Sequence, residues 1–375
     1  MHSINILDYA FKCSQGDTKE TIIAIKTENV TLSSKRVSTL NDTNTIPYHL
    51  LQENIPEKSD AIKNAIKKLV AEIVSSFSSD KKSKTALLVG TSLVDQHCVD
   101  AIEDSVYEYK RKPYSSAKKS IDSFAEEIVQ ELQLCHFSMT ISTACTSSVN
   151  ALLEARNLIN SGVCDYAIVV GIEIYSQMMS DGFSSMKLLS GDLQRPFDTA
   201  RDGLVLGEAL AAVLIGKENS PWSLRGGYSN CNSLNITSVS PSGEEYAQVM
   251  QEAMSLSHVD THDITALKAH ATATLANDMS EIYAIKKVFD PTLVFTAIKP
   301  YVGHTLGACG ILELAIFMAC IDDGFLPKTL NHNKSIIKDY IPLQKHQNCS
   351  LGIFMLNYFG FGGNNTSIII QKELI

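Results

Sequence analysis

Apolar, β-prone runs alternate with helical segments along this chain, and that alternation limits the folds open to it. Residues 165–171 and 209–215 are continuous apolar runs, as expected of strands that are buried on both faces. Residues 244–255 and 312–322 follow a helical pattern instead. Such alternation predicts an α/β protein built from packed layers. The turn-forming residues 216–221 predict the end of a first half.

One strand-to-helix junction carries a cysteine. Residues 137–144 are apolar and β-prone, and after Cys145 the apolar residues follow a helical spacing. The sequence therefore places the Cys145 thiol at or near a helix N-terminus, where free backbone N–H groups and the helix dipole favour a thiolate. The alternative is an unreactive core cysteine, and this segment by itself favours that alternative.

Three later segments contain residues that suit a nucleophile's partners. His270 follows an apolar run and precedes a small-residue turn with two hydroxyl groups. His304 lies among glycines, five residues after Lys299. Residues 357–365 form a glycine-rich loop between two apolar strands, and such a loop can aim backbone N–H groups at a ligand oxygen. Taken singly, each segment is more often structural: a hydrogen-bonded histidine, a surface lysine or a plain turn.

Together with residues 195–208, these segments resemble, in their order and separations, the β-ketoacyl synthases, which are the condensing enzymes of fatty acid and polyketide synthesis. The resemblance is specific from about Thr143 onward and faint near the N-terminus, where residues 86–92 are predicted as a strand. It implies the thiolase-like fold, in which two similar halves form five layers, α-β-α-β-α. We place the halves at residues 1–218, with the nucleophile, and 219–375, with both histidines and the Gly-Phe-Gly-Gly loop.

The resemblance also implies a reaction, the decarboxylative Claisen condensation of an acyl-cysteine with a malonyl thioester. Cys145 would accept the acyl chain. His270 and His304 would donate hydrogen bonds to the enolate oxygen, because imidazoles with pKa values near neutrality can donate there. A Cys–His–His set with a lysine indicates chain elongation. The resemblance further implies an oxyanion hole from the backbone N–H groups of Cys145 and Phe361, and an acyl-pocket gate at Phe361. It implies a structural or electrostatic role for Lys299, paired with Glu313. It also implies that the hydroxyls of Thr272 and Thr274 bind pantetheine.

Two departures from the family pattern concern the substrate. Ala271 and Ala273 stand where the family has glycine, and Asn364 stands where threonine is usual. Alanine adds a methyl group and disfavours positive φ, so we expect a narrowed or reshaped pantetheine tunnel. Neither departure removes a catalytic side chain.

A non-catalytic homologue is the main alternative function. Chain-length factors pair with an active ketosynthase and help to shape a shared acyl tunnel, but they usually replace the nucleophilic cysteine, which is present here as Cys145. A thiolase acting on coenzyme A esters is disfavoured by Lys299 and His304 in their context. For all three we expect a dimer, either a homodimer or a heterodimer with a related ketosynthase. Acyl carrier protein is the partner expected to bring the substrates.

Composition excludes several other classes. The net charge of −9 gives no electrostatic support for nucleic-acid binding, and no run reaches the ~18 apolar residues of a membrane span. The N-terminal residues lack a signal-like region, so we expect a cytoplasmic enzyme. The nine cysteines include no CxxC pair and are expected to be reduced. We expect no cofactor beyond the phosphopantetheine on the carrier protein, and no metal.

Two further groups of residues have the side chains of a metal site and of a docking patch, respectively. His258 and His262 stand four residues apart but lack a third ligand, so we interpret them as surface residues. The basic cluster of Lys110, Arg111, Lys112, Lys118 and Lys119 is a solvated loop or, with less support, a docking patch for an acidic carrier protein.

Overall fold

The computed structural model describes residues 4–39, 42–56, 59–93, 121–231 and 240–374. The basic cluster around Lys110 lies outside these residues. The strands are β1 (Ile4–Lys12), β2 (Ser33–Thr39), β3 (Asp42–His49), β4 (Thr85–Gly90), β5 (Ser138–Ile141), β6 (Tyr166–Glu173), β7 (Leu206–Gly207), β8 (Ala209–Gly216), β9 (Trp222–Cys231), β10 (Ile264–Lys268), β11 (Phe295–Thr296), β12 (Phe325–Leu326), β13 (Gln347–Asn348), β14 (Gly352–Phe359) and β15 (Asn364–Lys372).

Helices separate most of these strands. They are α1 (Thr18–Thr27), α2 (Ser59–Ile73), α3 (Ser79–Lys82), α4 (Ile121–Glu131), α5 (Ser147–Asn160), α6 (Gln177–Ser185), α7 (Glu244–Ser257), α8 (Leu275–Val288), α9 (Lys299–Val302) and α10 (Cys309–Asp322), with a 3₁₀ turn at Leu306–Ala308.

Ten strands form one mixed sheet with an internal repeat, in the order β11-β10-β14-β15-β9-β1-β8-β6-β4-β5. Outward from β1, the pairings are antiparallel to β8, antiparallel to β6, parallel to β4 and parallel to β5. Outward from β9, the same sequence of pairings runs through β15, β14, β10 and β11. The two halves meet where Ile4–Ile6 pair with Trp222–Leu224.

Three apolar clusters lie between five layers. In the N-terminal half, α2 and α4 pack on one face of β4, β6 and β8. In the C-terminal half, α7 and α8 pack on β10, β14 and β15. The central cluster joins both halves of the sheet through α5 and α10. The five-layered arrangement of two similar halves is therefore present.

Hydrophobic pattern explains which elements occupy the centre. Every residue of β6 and β8 is buried, as their continuous apolar runs predicted. Helix α10 is apolar on all sides and buried from Cys309 to Ile321, which is the pattern of a helix enclosed on all sides by protein.

The predicted boundary between the halves lies in the connection between two strands. Strand β8 ends at Gly216 and β9 begins at Trp222, so residues 217–221 connect the halves. The division at 218/219 stays a prediction, since β1 and β9 join both halves into one sheet. Across the residues that the structure describes, no helix is long and apolar enough to cross a membrane.

Candidate active site

Cys145 lies in a tight turn between β5 and α5, as the sequence predicted. Ala144 just before it has a φ of 54°, a left-handed conformation that is uncommon for a residue with a side chain. The turn is held by the Thr143 N–H, which donates to Ser147 Oγ at 3.0 Å, and by Thr146 Oγ1, which donates to the Thr143 carbonyl at 2.7 Å. These bonds direct the thiol into a cavity that it lines, although Cys145 is only 4% exposed.

His304 lies beside the cysteine sulfur. Its Nε2 is 3.1 Å from Cys145 Sγ. The His304 backbone is held on both sides, because its N–H donates to the Val205 carbonyl and its carbonyl accepts from the Gly207 N–H. Gly303 before it has a φ of 75°, and a Cβ at that position would lie 2.8 Å from the Leu206 carbonyl oxygen. This close backbone approach explains the glycine and positions the imidazole.

His270 approaches from the C-terminal half, immediately after β10. Glu281 on α8 accepts hydrogen bonds from the N–H groups of His270 and Ala271, at 2.6 and 2.7 Å. The His270 ring lies 5.3 Å from the His304 ring, edge to face. Its Nδ1 is 3.2 Å from the Lys299 Nζ. An ammonium group can only donate, so Nδ1 accepts and the ring proton lies on Nε2.

Lys299 and Glu313 form a buried ion pair, as the family resemblance implied. Their Nζ and Oε1 atoms are 2.6 Å apart, and both side chains are essentially unexposed. A second buried lysine, Lys268, contacts the other oxygen of the same carboxylate at 2.7 Å. Two cations therefore share one anion behind His270.

Burial changes the protonation expected from the sequence. Desolvation raises the pKa of the Cys145 thiol, although the backbone N–H of Phe361 and the charge of Lys299 lower it. The expected thiolate-favouring effect of the α5 N-terminus is thus outweighed by burial.

The expectation of near-neutral histidines was wrong. Desolvation and the Lys299 charge lower the pKa of both His270 and His304 well below the usual value. Both imidazoles are neutral at pH 7, and each donates a hydrogen bond through one ring nitrogen only.

The Gly-Phe-Gly-Gly loop between β14 and β15 brings Phe361 over the thiol. The Phe361 backbone N–H lies close enough to the Cys145 sulfur to lower the pKa of the thiol. Gly362 and Gly363 have φ values of 93° and 87°, which explains why the loop needs glycine there. The Phe361 ring packs edge to face on Phe183, with 5.9 Å between ring centroids.

A cavity of about 240 Å³ opens at these groups. The Thr272 and Thr274 hydroxyls lie 3.0 Å apart beside it. Its lining comprises the catalytic candidates Cys145, His270 and His304, the hydroxyl residues Thr272 and Thr274, and apolar side chains that include Phe183, Leu188, Leu204, Tyr246, Phe359 and Phe361.

Ala271 and Ala273 do not narrow the cavity that the structure describes, and a reshaped pantetheine tunnel stays a prediction. Both alanines have positive φ, at 54° and 66°, so they adopt the conformation that glycine would have favoured. Both are fully buried, and neither lines the cavity. Their N–H groups are held by Glu281 and Asp278, at 2.7 and 3.0 Å, which stabilises the strained backbone.

Asn364, the other departure, has a structural contact. Its side-chain oxygen accepts a hydrogen bond from Asn150 Nδ2 at 2.8 Å and lies 2.5 Å from Thr146 Oγ1. The asparagine therefore ties the end of the Gly-rich loop to the first turn of α5.

The three catalytic candidates also fit a common pattern of metal ligands, since the donor atoms of Cys145, His270 and His304 lie within 4.8 Å of one another. Two features oppose a cation there: the Cys145–His304 contact is a hydrogen bond, and the Lys268 and Lys299 ammonium groups lie behind His270. The absence of a metal stays a prediction.

Sequence reasoning missed Lys268, Glu281 and Glu173. Lys268 and Glu173 each end a mostly apolar strand, at positions where the neighbouring residues are buried. A charged residue ending such a run is the signal that would have identified them. His258 and His262 are exposed, as interpreted.

The repeated halves and the Cys–His–His set at their junction define a thiolase-like protein with a cysteine-based site. The family model for the β-ketoacyl synthase N-terminal domain matches residues 64–220, and the model for the C-terminal domain matches residues 223–333. The chain belongs to the β-ketoacyl synthase family, as its sequence motifs indicated.

Named relatives agree with that assignment. Over 258 residues the chain is 32% identical to 3-oxoacyl-[acyl-carrier-protein] synthase I, chloroplastic, of Arabidopsis thaliana, covering 64% of this chain and only 54% of that relative. It is 27% identical to 3-oxoacyl-[acyl-carrier-protein] synthase 2 of Rhizobium meliloti, covering 79% of this chain and 76% of the relative.

Solved structures confirm the fold. One chain of a complex between a ketosynthase and its chain length factor, from Xenorhabdus doucetiae, superimposes with a TM-score of 0.86 over 99% of this chain and 98% of its own, at 23% identity. At that identity the likeness shows the fold alone. The thiolase-like architecture predicted from the sequence is confirmed.

Proposed function

We propose that this protein is a β-ketoacyl-[acyl carrier protein] synthase, an acyltransferase that lengthens an acyl chain with a malonyl unit in fatty acid, polyketide or polyene biosynthesis. The observation that carries the proposal is the Cys145 thiol at 3.1 Å from His304 Nε2, with His270 facing the same cavity. The named activity of the Arabidopsis and Rhizobium relatives supports it.

The first step is acyl transfer to the cysteine. As the Cys145 sulfur attacks the thioester carbonyl, the S–H proton passes to His304 Nε2, which is in hydrogen-bonding distance. The bond between the acyl carbon and the carrier sulfur breaks, and the departing carrier thiolate takes up that proton to leave as a thiol. The backbone N–H groups of Cys145 and Phe361, which lower the pKa of the Cys145 thiol, would stabilise the tetrahedral oxyanion.

The second step removes carbon dioxide from the malonyl thioester. Its carbon–carbon bond breaks and leaves an enolate, whose negative oxygen needs donors placed in advance. His270 offers Nε2–H, since Lys299 engages its Nδ1, and His304 lies at right angles to it. The enolate carbon then bonds to the acyl carbonyl carbon while the bond to Cys145 breaks.

The substrates are expected on the phosphopantetheine arm of an acyl carrier protein, with no further cofactor. The neighbouring hydroxyls of Thr272 and Thr274, which line the cavity, suit the amide groups of such an arm. The eight described cysteines are free thiols, which fits the reducing cytoplasm that we propose as its location.

A dimer is part of this proposal. Strand β5 is at one edge of the ten-stranded sheet, and its four residues are only half-buried. Thr140 Oγ1 is shielded from solvent yet has no partner among the described residues. An exposed strand edge beside the nucleophile turn suits pairing with a second chain, either identical or related.

A chain-length-factor role is the second candidate. The Xenorhabdus structure contains a ketosynthase together with such a factor, so this fold occurs in heterodimers. The intact Cys145–His304 contact favours activity, because a non-catalytic subunit needs no nucleophile.

Intact-mass spectrometry tests the proposal. The purified protein is incubated with acyl-loaded carrier protein, and Cys145→Ala serves as the control. We expect an acyl adduct that is absent from the variant, and a product two carbons longer once malonyl-carrier protein is added. If carriers of several chain lengths leave no adduct, the synthase proposal is wrong. A second ketosynthase that co-purifies would then identify the partner-subunit role.

A further inference from the structure

Lys268 is a buried lysine that the proposed reaction does not use. It is the last residue of β10, two positions before His270, and its side chain has no exposed surface. Burying an ammonium group is unfavourable unless its charge is paired and its hydrogen bonds are made. The contacts around Lys268 therefore show what holds a positive charge at this place.

Three attractive groups surround the Lys268 ammonium. Its Nζ donates to Glu313 Oε2 at 2.7 Å and to the Asn357 carbonyl at 2.8 Å. It also lies 3.6 Å from the centroid of the Tyr358 ring, a cation–π contact in a desolvated setting. This arrangement is built for the charged form.

Glu313 is the shared anion. Each of its carboxylate oxygens binds a different lysine, Oε1 to Lys299 and Oε2 to Lys268. It is the only charged residue that α10 buries. With both lysines protonated, this cluster has one positive charge more than it has negative charges.

That surplus charge lies next to the reactive groups. Lys299 contacts His270, and the positive charges of Lys299 and Lys268 both lower the pKa of His270 and of His304. Lys268 itself does not line the cavity, so its side chain does not contact the substrate. Any effect it has on chemistry is therefore electrostatic or transmitted through Glu313.

We propose that Lys268 is a positioning residue: it holds Glu313 in place for Lys299 and supplies the surplus positive charge that stabilises anions at Cys145 and at the enolate oxygen. The inference rests on the proposed function for the enolate, but not for the thiolate. A site without Lys268 keeps the Lys299–Glu313 pair, yet that pair is neutral and attracts an anion less strongly.

The charge of Lys268 is sensitive to its surroundings. Burial lowers the pKa of Lys268 to about 8, Glu313 opposes that shift, and Lys299 adds to it. The other titratable groups that face it are His270, His304, Glu281, Cys309 and Tyr358.

Alkylation of Cys145 by iodoacetamide tests the thiolate directly, without any condensation assay. The Cys145 signal is obtained by intact mass as the difference from Cys145→Ala. In Lys268→Met, which keeps the side-chain length and loses the charge, we expect alkylation at pH 7, where Lys268 is charged, to be about ten-fold slower. Lys268→Arg should restore the wild-type rate at pH 7, and Lys286→Met, at an exposed lysine of α8, should not change it.

Turnover gives the second readout. If the synthase proposal is right, Lys268→Met lowers kcat about ten-fold with little change in KM for the carrier substrates, since Lys268 does not line the cavity. Should Lys268→Met fail to fold, Lys268→Gln provides the same charge removal with a polar group. An unchanged alkylation rate in the neutral variant, or a loss of equal size in Lys268→Arg, overturns the inference. A slowed alkylation in a protein without condensing activity leaves it standing and rejects the synthase proposal.

Discussion

The two histidines beside Cys145 differ in the ring nitrogen that is already engaged. Lys299 occupies Nδ1 of His270, whereas His304 turns Nε2 to the cysteine sulfur at 3.1 Å. His304 Nδ1 is buried and has no partner among the described residues. His304 can therefore exchange a proton with the thiol, while His270 is fixed as a donor toward the cavity.

Alanine variants should separate these roles. His304→Ala removes the group that accepts the thiol proton, so we expect acylation of Cys145 to slow by about 100-fold. His270→Ala should leave acylation within a few fold but abolish release of carbon dioxide from malonyl-carrier protein. Single-turnover acylation and a carbon dioxide assay measure the two steps. Equal loss of both steps in both variants would contradict this division.

Glu173 is a further buried carboxyl group near the site. Its Oε2 accepts hydrogen bonds from the Ser92 and Gly307 N–H groups, at 3.1 and 3.0 Å. Burial nevertheless raises the pKa of Glu173 from 4.5 to about 7. The folded protein then binds a proton more tightly than the unfolded chain does. The stabilisation is complete below pH 4.5 and is lost as the pH rises through 7.

Glu173→Gln should remove this pH dependence. The shift from 4.5 to about 7 corresponds to about 3 kcal/mol, so the variant should be more stable than wild type at pH 8.5 by up to that amount. At pH 5 the two proteins should differ little, because Glu173 is then largely protonated. Asp278 and Glu281 titrate in both proteins and cancel in the comparison. Denaturant unfolding at both pH values measures the difference, and a constant offset would reject the explanation.

At the scale of elements, α10 connects the site to the core. Its buried side chains contact both halves of the sheet through the central apolar cluster, and Glu313 on the same helix holds Lys299. Packing along this helix therefore affects both stability and the position of Lys299.

Leu314→Ala tests the packing of α10. Leu314 is fully buried, and truncation of such a leucine typically costs about 2–5 kcal/mol because a cavity remains. Leu256→Ala on α7 is the matched control, since Leu256 is 55% exposed and should change the free energy of unfolding by less than about 0.5 kcal/mol. Urea unfolding compares them. Similar small losses in both would mean that the core around α10 is loosely packed.

At the scale of the whole molecule, the open edge of β5 is the surface through which we propose that two chains pair. The Phe137 carbonyl accepts a hydrogen bond from Leu87 of β4, and the Ile141 carbonyl accepts one from Thr91, just after β4. The backbone N–H and C=O groups of successive strand residues point toward opposite neighbouring strands, so those of Ser138 and Thr140 point to the open edge.

Thr140→Pro removes an N–H from that edge and should prevent pairing of two chains. We expect the wild-type protein to have twice its 41.0 kDa chain mass in solution, or to pair with a related chain, and the variant to be monomeric. Thr140→Val keeps the N–H and should remain dimeric. Light scattering after size exclusion gives the masses, and a dimeric proline variant would show that the interface lies elsewhere.

Patterns local in the chain were predicted well. The strand-to-helix turn at Cys145, the break near Gly216 and the buried runs of β6 and β8 all depend on neighbours within a few residues, so spacing and side-chain type reveal them. The Lys299–Glu313 contact was anticipated only through the family resemblance. The narrowing of the cavity expected from Ala271 and Ala273 is not seen, because the direction in which a methyl group points depends on what packs against the loop.

By itself, the sequence determined the α/β layers and the nucleophile turn, because hydrophobic periodicity and turn chemistry act over short range. Through its motifs it also indicated the family. Only the tertiary structure decided the charge states of the site. The pKa values of Cys145, His270 and His304 depend on burial and on Lys299, which lies far from Cys145 along the chain. The sharing of Glu313 by Lys268 and Lys299 likewise exists only once β10, α9 and α10 pack together.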